Sequence, residues 1–186
     1  VKGIRNQNEL AQESSEIADF WSMLQGFQTS GKCIEKAHYR IRYMKSFRPL
    51  SVKEDIEFKE ARPILYLNTA AVASLFSSRN AGSTSNRSNW STIMSYLKSH
   101  ASYLGLKQDR FTILLPSGLP DYTIDIVNGE QVKKVKVNRP KALCFDYLQL
   151  KETFGLDLET EVVSEVQEEM PVEQQHPIKQ EELHFR

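Results

Sequence analysis

The sequence predicts an α+β fold of winged-helix-like type, centred on residues 61–158. Two stretches with apolar residues at helical spacing, one after Asn68 and one after Asn89, predict two successive helices. Further along, the dipeptide Asn128-Gly129 separates two alternating segments and is a strong sequence signal for a tight β-hairpin. Two helices, a hairpin and a closing strand follow one another in the order of a winged-helix nucleic-acid-binding module.

The composition fits one folded body with a charged extension. The chain has 186 residues, of which 40% are hydrophobic, and its formal net charge is zero. This charge divides unevenly: residues 1–158 contain 22 basic and 16 acidic residues, whereas residues 159–186 contain two basic and eight acidic ones. A body of +6 with a tail of −6 suits a domain that binds a polyanion. No apolar run is long enough for a membrane span and no secretory signal occurs, so we predict a cytoplasmic protein without membrane contact.

The residue types required for common catalytic sites do not occur in suitable patterns. Cys33 and Cys144 are far apart and have no His or Cys neighbour at metal-ligand spacing, so we predict reduced thiols and no metal or other cofactor. There is no glycine-rich phosphate loop, no His-Glu-x-x-His motif and no nucleophile elbow. These absences predict a chain that is not an enzyme. Because the sequence begins at Val1 instead of Met, we expect it to be part of a longer protein.

A linker and a helix-plus-strand extension are predicted before the central region. Residues 1–14 are polar and form the predicted linker, and residues 15–60 form the extension. Within the extension, residues 15–29 carry apolar side chains at helical spacing, which predicts a helix. Residues 38–47 alternate between aromatic or aliphatic and basic side chains, which predicts a strand. Residues 48–60 are predicted to be a polar loop or a short irregular helix.

The first helix of the central region follows a short buried strand that begins at Pro63. Asn68 or Thr69 is placed to cap this helix, which we interpret as the supporting helix of the module. A polar loop over residues 80–89 separates it from the second helix and is longer than helix-turn-helix turns usually are. This loop is a candidate for ordering on nucleic acid.

The second helix is interpreted as the recognition helix. Its inward residues recur at helical spacing and are Trp90, Ile93, Met94, Leu97, Ala101 and Leu104. The outward side is rich in hydroxyl groups and lightly basic, which suits contact with phosphates at the start of a helix. The alternative is an ordinary surface helix whose Ser and Asn side chains cap it and contact water.

The hairpin is interpreted as the wing. With a two-residue turn, Asp121 falls opposite Lys136 and Thr123 opposite Lys134, so that lysines line one face. A basic wing contacts phosphates or enters a minor groove, and it contributes salt-sensitive affinity with little sequence information. The alternative is that the lysines protect the edge of the hairpin against aggregation.

Together, the loop, the second helix and the wing give the predicted DNA contacts. The candidate residues are Arg79, Arg87, Asn89, Ser91, Ser95, Lys98, Lys133, Lys134, Lys136 and Arg139. A closing strand over residues 142–145 and a short helix capped by Asp146 complete the domain near Leu158.

Residues 159–186 are predicted to be a disordered acidic tail, because they are rich in Glu, Gln, Val and Pro and lack a sustained period. Near its end, Gln180, Leu183 and Phe185 resemble the short linear motif by which bacterial replication proteins dock on the sliding clamp. In such a motif the apolar side chains enter a pocket of the partner. The tail is also a candidate competitor of DNA for the basic body.

Several short segments follow one another along the body: Ala18-Asp19-Phe20-Trp21, Gly31-Lys32, the strand from Tyr39 to Tyr43, Ile64-Leu65-Tyr66-Leu67, Tyr103-Leu104-Gly105, Arg110-Phe111, Asn138-Arg139-Pro140 and Phe145-Asp146-Tyr147. In this order they resemble the region that follows the ATPase domain in primase-helicase proteins of bacterial mobile elements and phages. The resemblance covers residues 1–158 and implies a role in positioning DNA for unwinding or origin recognition, next to an ATPase domain of the same chain. The rival expectation is a protein-interaction adaptor that docks a helicase or a clamp without touching DNA.

Overall fold

The computed structural model describes residues 7–80 and 89–161, and the fold in these ranges is mixed α and β, as predicted. In chain order the elements are α1 (Gln7–Thr29), β1 (Tyr39–Phe47), β2 (Ile56–Asn68), α2 (Thr69–Asn80), α3 (Trp90–Ser99), β3 (Tyr103–Gln108), β4 (Phe111–Thr112), β5 (Tyr122–Val127), β6 (Glu130–Val135), β7 (Val137–Asn138), β8 (Lys141–Asp146) and α4 (Tyr147–Phe154).

A four-stranded antiparallel sheet in the order β1-β2-β8-β3 forms the centre of the fold. Strand β8 lies between β2 and β3, with Phe145 opposite Leu65 on one side and Leu143 opposite Leu106 on the other. Successive residues of a strand point to opposite faces, so these four side chains share one face of the sheet. The helices cover that face.

The helix-covered face contains the main core. Trp21 of α1 meets Phe145 edge-on with ring centroids 5.1 Å apart, and Phe20 stacks on Phe76 of α2 at 5.0 Å. Leu97 of α3 is fully buried in the same cluster. The apolar stripes of the three helices are therefore core residues, as their spacing predicted.

The opposite face of the sheet carries a smaller apolar cluster. Its buried members are Phe47, Ile64, Tyr66, Phe111, Ala142 and Cys144. Two arginines of β1 hold the chain after β3 over this face. Arg42 makes a bidentate ion pair with Asp109, and Arg40 donates to the carbonyl of Arg110. Arg40 and Arg42 thus serve to attach a loop.

A β-bulge in β3 shifts its register against β8 between Tyr103 and Gly105. Gly105 has a φ of +134°, and a Cβ built on it would lie 2.7 Å from the Cβ of Pro49. The loop after β1 packs against the bulge here, where the N–H of Leu50 donates to the carbonyl of Leu106 at 2.9 Å. Both the dihedral angle and the close approach require glycine.

The predicted linker is wrong in part, because α1 begins at Gln7 and not at residue 15. Residues 7–14 include two Gln, two Glu, one Leu and one Ala, residue types of high helix propensity, and they extend the helix without adding to its buried stripe. Ser99 donates a hydrogen bond from Oγ to the carboxylate of Glu13, which ties this extension to α3.

The predicted loop over residues 48–60 is also wrong in part, because β2 begins at Ile56. Ile56 and Phe58 alternate with charged residues, and this half of the strand pairs with Ser46 and Phe47 of β1. The proposed boundary between residues 60 and 61 therefore falls inside a strand. Pairing with a neighbouring strand stabilises a polar-rich segment that composition assigns to a loop.

The second helix is shorter than its spacing predicted. It ends at Ser99, and His100 is its C-cap. Ala101 therefore lies in a turn, and Leu104 lies in β3, where it contacts the smaller apolar cluster.

The folded chain continues to Glu161, beyond the end predicted near Leu158. The hydroxyl of Tyr147 accepts the N–H of Leu158 at 2.8 Å, and the hydroxyl of Tyr39 donates to the carbonyl of Glu159. The first residues of the predicted tail therefore belong to the fold, because two buried tyrosines fasten them.

We expect Tyr147→Phe to release this C-terminal segment and to lower the free energy of unfolding by about 1 kcal/mol, because the N–H of buried Leu158 loses its acceptor. Native-state hydrogen exchange of the Leu158 amide should accelerate. Tyr43→Phe is the control, since the hydroxyl of Tyr43 has no hydrogen-bond partner among the described residues. Equal exchange in the two variants would contradict the role assigned to Tyr147.

Candidate nucleic-acid interface

Helix α3 presents a polar stripe that no other element of the described residues covers. Ser91, Ser95 and Lys98 recur at intervals of four and three residues, and all three are exposed. The opposite side of the helix carries the fully buried Leu97. The predicted division into an inward and an outward face is confirmed for these residues.

Asn89 is the N-cap of α3. Its Oδ1 accepts hydrogen bonds from the backbone N–H and from Oγ1 of Thr92, each at 2.9 Å. This leaves the Nδ2 group of Asn89 as the donor at the start of the helix. Capping therefore occupies the acceptor of this predicted contact residue and leaves its donor available.

The core holds α3 in a fixed place. The ring of Trp90 lies 6.1 Å from that of Phe20 and 5.5 Å from that of Phe76, measured between centroids. The first turn of α3 thus packs against both α1 and α2, and the polar stripe is presented from a rigid base.

Strands β5 and β6 form the predicted hairpin. Asn128 and Gly129 have φ values of +54° and +82°, as a type I′ turn requires. Thr123 pairs with Lys134 as the turn geometry predicted, and Tyr122 pairs with Val135. The turn and the register of the hairpin are therefore confirmed.

The distribution of charge on the hairpin differs from the prediction. Lys134 pairs with Asp125 at 2.8 Å, and Lys136 pairs with Asp121 at 3.1 Å. The two lysines that share a face are thus partly neutralised by the carboxylates of the hairpin itself. Exposed pairs of this kind are weak, so phosphates can compete for the lysines.

Lys133 lies on the other face of the hairpin, and not with the remaining lysines. Its ammonium group sits over the ring of Tyr122 at 4.1 Å from the centroid. The strand period explains this placement, because Lys133 is opposite Ile124 and alternates with Lys134. Lys133 and Arg139 have no carboxylate partner among the described residues. Arg139, which was predicted on the same hairpin, lies beyond it, directly after β7, which pairs with β4.

Sequence reasoning missed the apolar surface of the hairpin. Ile124 and Ile126 are 67% and 75% exposed, although alternation with polar residues predicts a buried face. No element of the described chain covers either face of β5 and β6, whose residues are all exposed. Ile124 and Ile126 therefore form an exposed apolar surface near the tip of the hairpin.

The two predicted contact surfaces are separate in the structure. No hydrogen bond, ion pair or ring contact joins α3 to the hairpin within residues 7–80 and 89–161. The side chain of Arg79, all of Arg87, and the tail with Gln180, Leu183 and Phe185 lie outside the described residues.

The side chains of the described residues bear on two kinds of reactive group, namely those that hold metal ions and those that act as thiol nucleophiles. No group of three or more His, Cys, Asp or Glu side chains is placed to hold a metal ion in the part of the chain that the structure describes. Cys33 and Cys144 are buried free thiols, and burial raises the pKa of Cys33 to about 12. At ordinary pH this thiol is protonated and is a poor nucleophile.

Comparison of the chain with protein-family models, with curated proteins and with solved structures finds no match in any of the three. Among the described helices, none combines the length and the apolar composition needed to cross a membrane.

Proposed function

We propose that this chain is a non-catalytic DNA-binding domain of winged-helix-like type that serves the replication of a bacterial mobile element or phage. In this proposal α2 is the supporting helix, α3 is the recognition helix and the β5-β6 hairpin is the wing. The domain would act beside an ATPase domain of the same chain, as the resemblance to primase-helicase proteins implies.

The main support for the proposal is that two surfaces with polar and cationic side chains are exposed and do not contribute to the core. One is the stripe of Ser91, Ser95 and Lys98 on α3, and the other is the uncovered hairpin with Lys133, followed along the chain by exposed Arg139 just after β7. Hydroxyl and cationic groups are those that contact phosphates in protein–DNA complexes. A helix start that offers N–H groups and the Asn89 amide adds donors to the first element.

The hairpin explains why binding should depend on salt more than on sequence. Its cations contact phosphates, and each such contact releases a condensed counterion from B-DNA. The short side chains of α3 would position that helix in a groove, with at most a few contacts to base edges.

We expect Asp121→Asn with Asp125→Asn to tighten DNA binding about fivefold, because the change releases Lys134 and Lys136 from their two exposed ion pairs.

Lys133→Ala with Arg139→Ala should weaken DNA binding and make it less sensitive to salt, because two cations that contact phosphates are removed. Fluorescence anisotropy with single-stranded and duplex DNA at two salt concentrations measures both effects.

Glu54→Gln with Glu57→Gln is the matched control, since these exposed carboxylates, one just before β2 and one at its start, give the same change in net charge outside the hairpin. A rise in affinity confined to the hairpin variant supports contact by the wing. An equal rise in both variants would reduce the effect to net charge and contradict the wing assignment.

The rival function, an adaptor that docks a helicase or a clamp, is favoured by one observation, namely the exposure of Ile124 and Ile126 near the tip of the hairpin. An adaptor would bind neither single-stranded nor duplex DNA at low salt. Its docking to a protein partner would fail in an Ile124→Ser, Ile126→Ser variant. The clamp motif of Gln180, Leu183 and Phe185 stays a prediction.

A further inference from the structure

A cleft of about 550 Å³ lies between the start of α2, the start of β1 and the chain between β4 and β5. Its volume is within the range of small-molecule sites. None of the residues proposed for DNA contact lines it. The cleft is therefore separate from the surfaces proposed for DNA contact.

His38 contributes an unused hydrogen-bond donor to this cleft. The side chain is buried, with 4% exposed, and its Nδ1 accepts the N–H of Ile34 at 3.0 Å. Nδ1 is therefore unprotonated, and the neutral ring carries its hydrogen on Nε2. Burial lowers the pKa of His38 below its usual range, which favours this neutral form. No described residue accepts a hydrogen bond from Nε2.

Asn68 contributes an unused acceptor. It is 6% exposed, lines the same cleft and donates from Nδ2 to the carbonyl of Ala37 at 3.0 Å, which fixes the orientation of its amide. Its Oδ1 is buried and has no hydrogen-bond partner among the described residues. A buried acceptor without a partner is costly, and a ligand with a matching donor would relieve the cost.

The start of α2 and a lysine give the cleft a positive end. Ala70 and Ala71 in the first turn line the cleft, and the N–H groups of a first turn have no partners within their helix. Lys32 is the only charged side chain among the residues of the described chain that line the cleft. The helix dipole and this ammonium group both favour a bound anion.

The remaining wall is mostly apolar and includes Leu75, Ile113, Leu115 and Pro140, with Ser74, Thr112 and Asn138 as its polar members. The cleft thus combines a largely apolar wall, one buried donor, one buried acceptor and an anion-favouring end. A nucleobase has apolar faces and carries an acceptor beside a donor on its pairing edge, and a nucleotide adds a phosphate.

We propose that this cleft binds one nucleotide unit, with the base against the apolar wall and hydrogen-bonded to His38 and Asn68, and the phosphate at the start of α2 beside Lys32. The nucleotide is either free or part of a single strand. The site uses neither α3 nor the hairpin, so it does not rest on the DNA contacts proposed above.

The test is a titration of the full chain, labelled with ¹⁵N, with each deoxynucleoside monophosphate, with inorganic phosphate and with a short single-stranded oligonucleotide. The side-chain amide signal of Asn68 and the backbone amide signal of Ala71 should shift together with a monophosphate. Lys32→Ala should weaken binding about tenfold, the equivalent of one charge-assisted hydrogen bond. Lys45→Ala, at an exposed lysine of β1 outside the cleft, should leave it unchanged.

Each outcome decides the proposal. Tighter binding of the oligonucleotide than of the monophosphates assigns the site to a strand, and equal binding assigns it to free nucleotides. Shifts of Ala71 alone, equally strong with inorganic phosphate, would reduce the cleft to an anion site and overturn the proposal. Unchanged Asn68 and Ala71 signals at millimolar nucleotide would also overturn it, whether or not DNA binds through α3 and the hairpin.

Discussion

Gly105→Ala is expected to lower the free energy of unfolding by about 3 kcal/mol. The added methyl group would lie 2.7 Å from the Cβ and 2.9 Å from the Cγ of Pro49, and neither atom is at the end of a flexible side chain. The φ of +134° adds backbone strain, which costs an L residue about 1–2 kcal/mol, and overpacking costs about 1–3 kcal/mol. Urea denaturation of the two proteins measures the difference.

Gly26→Ala is the matched control, because it adds the same methyl group to the same chain with the opposite expected sign. Gly26 lies within α1, and nothing is within 4 Å of its added Cβ. Replacing a helical glycine with alanine should raise the free energy of unfolding by about 0.5–1 kcal/mol. Similar stabilities for the two alanine variants would show that the bulge does not require glycine.

Asp146→Ala is expected to lower the free energy of unfolding by about 3 kcal/mol. The carboxylate accepts charged hydrogen bonds from Arg62 at 2.8 Å and 2.9 Å, and it also caps α4 by accepting the N–H of Gln149. Its side chain is only 12% exposed, so water replaces these bonds poorly. Charged hydrogen bonds contribute about 1.5–3 kcal/mol and a cap about 1 kcal/mol. Thermal or urea unfolding measures the loss.

Two variants separate the contributions to this effect. Asp146→Asn keeps a good capping group and removes the charge, so its loss should be intermediate. Asp55→Ala breaks an Arg–Asp pair with Arg48 that is far more exposed, and its loss should be small. If Asp55→Ala were as harmful as Asp146→Ala, burial would not explain the importance of Asp146.

Elements that follow from local rules were predicted correctly from the sequence. The turn at Asn128 and Gly129 and the Asp146 cap of α4 each depend on one or two residues with strong local preferences. Such preferences act within a few residues and can be read without knowledge of the fold.

Elements that depend on distant pairing were mispredicted. Leu104 fits the spacing of α3, yet it lies in β3 because that strand pairs with β8, almost 40 residues further along the chain. The first half of β2 is stabilised by Ser46 and Phe47 of β1 in the same way. Propensity and period cannot report a partner strand that is remote in sequence.

The candidate sites also divide into features that local sequence predicts and features that depend on distant parts of the chain. The exposed stripe of α3 follows from helical spacing, whereas the coverage of the hairpin depends on whether any other element reaches it. The cleft could not be predicted from the sequence, because His38, Asn68 and Pro140 come close to one another only after strands β1, β2 and β8 have assembled. Their spacing along the chain gives no sign that they line one cleft.

The central position of β8 also determines when the sheet can form. Residues 141–146 fill the place between β2 and β3, so both of these strands keep an open edge until almost the whole body has left the ribosome. Pairings of such sequence separation fold slowly, and unpaired edges favour aggregation meanwhile. A chain cut before residue 141 would lose the middle of its sheet instead of its end, so expression of the body should require every residue through α4.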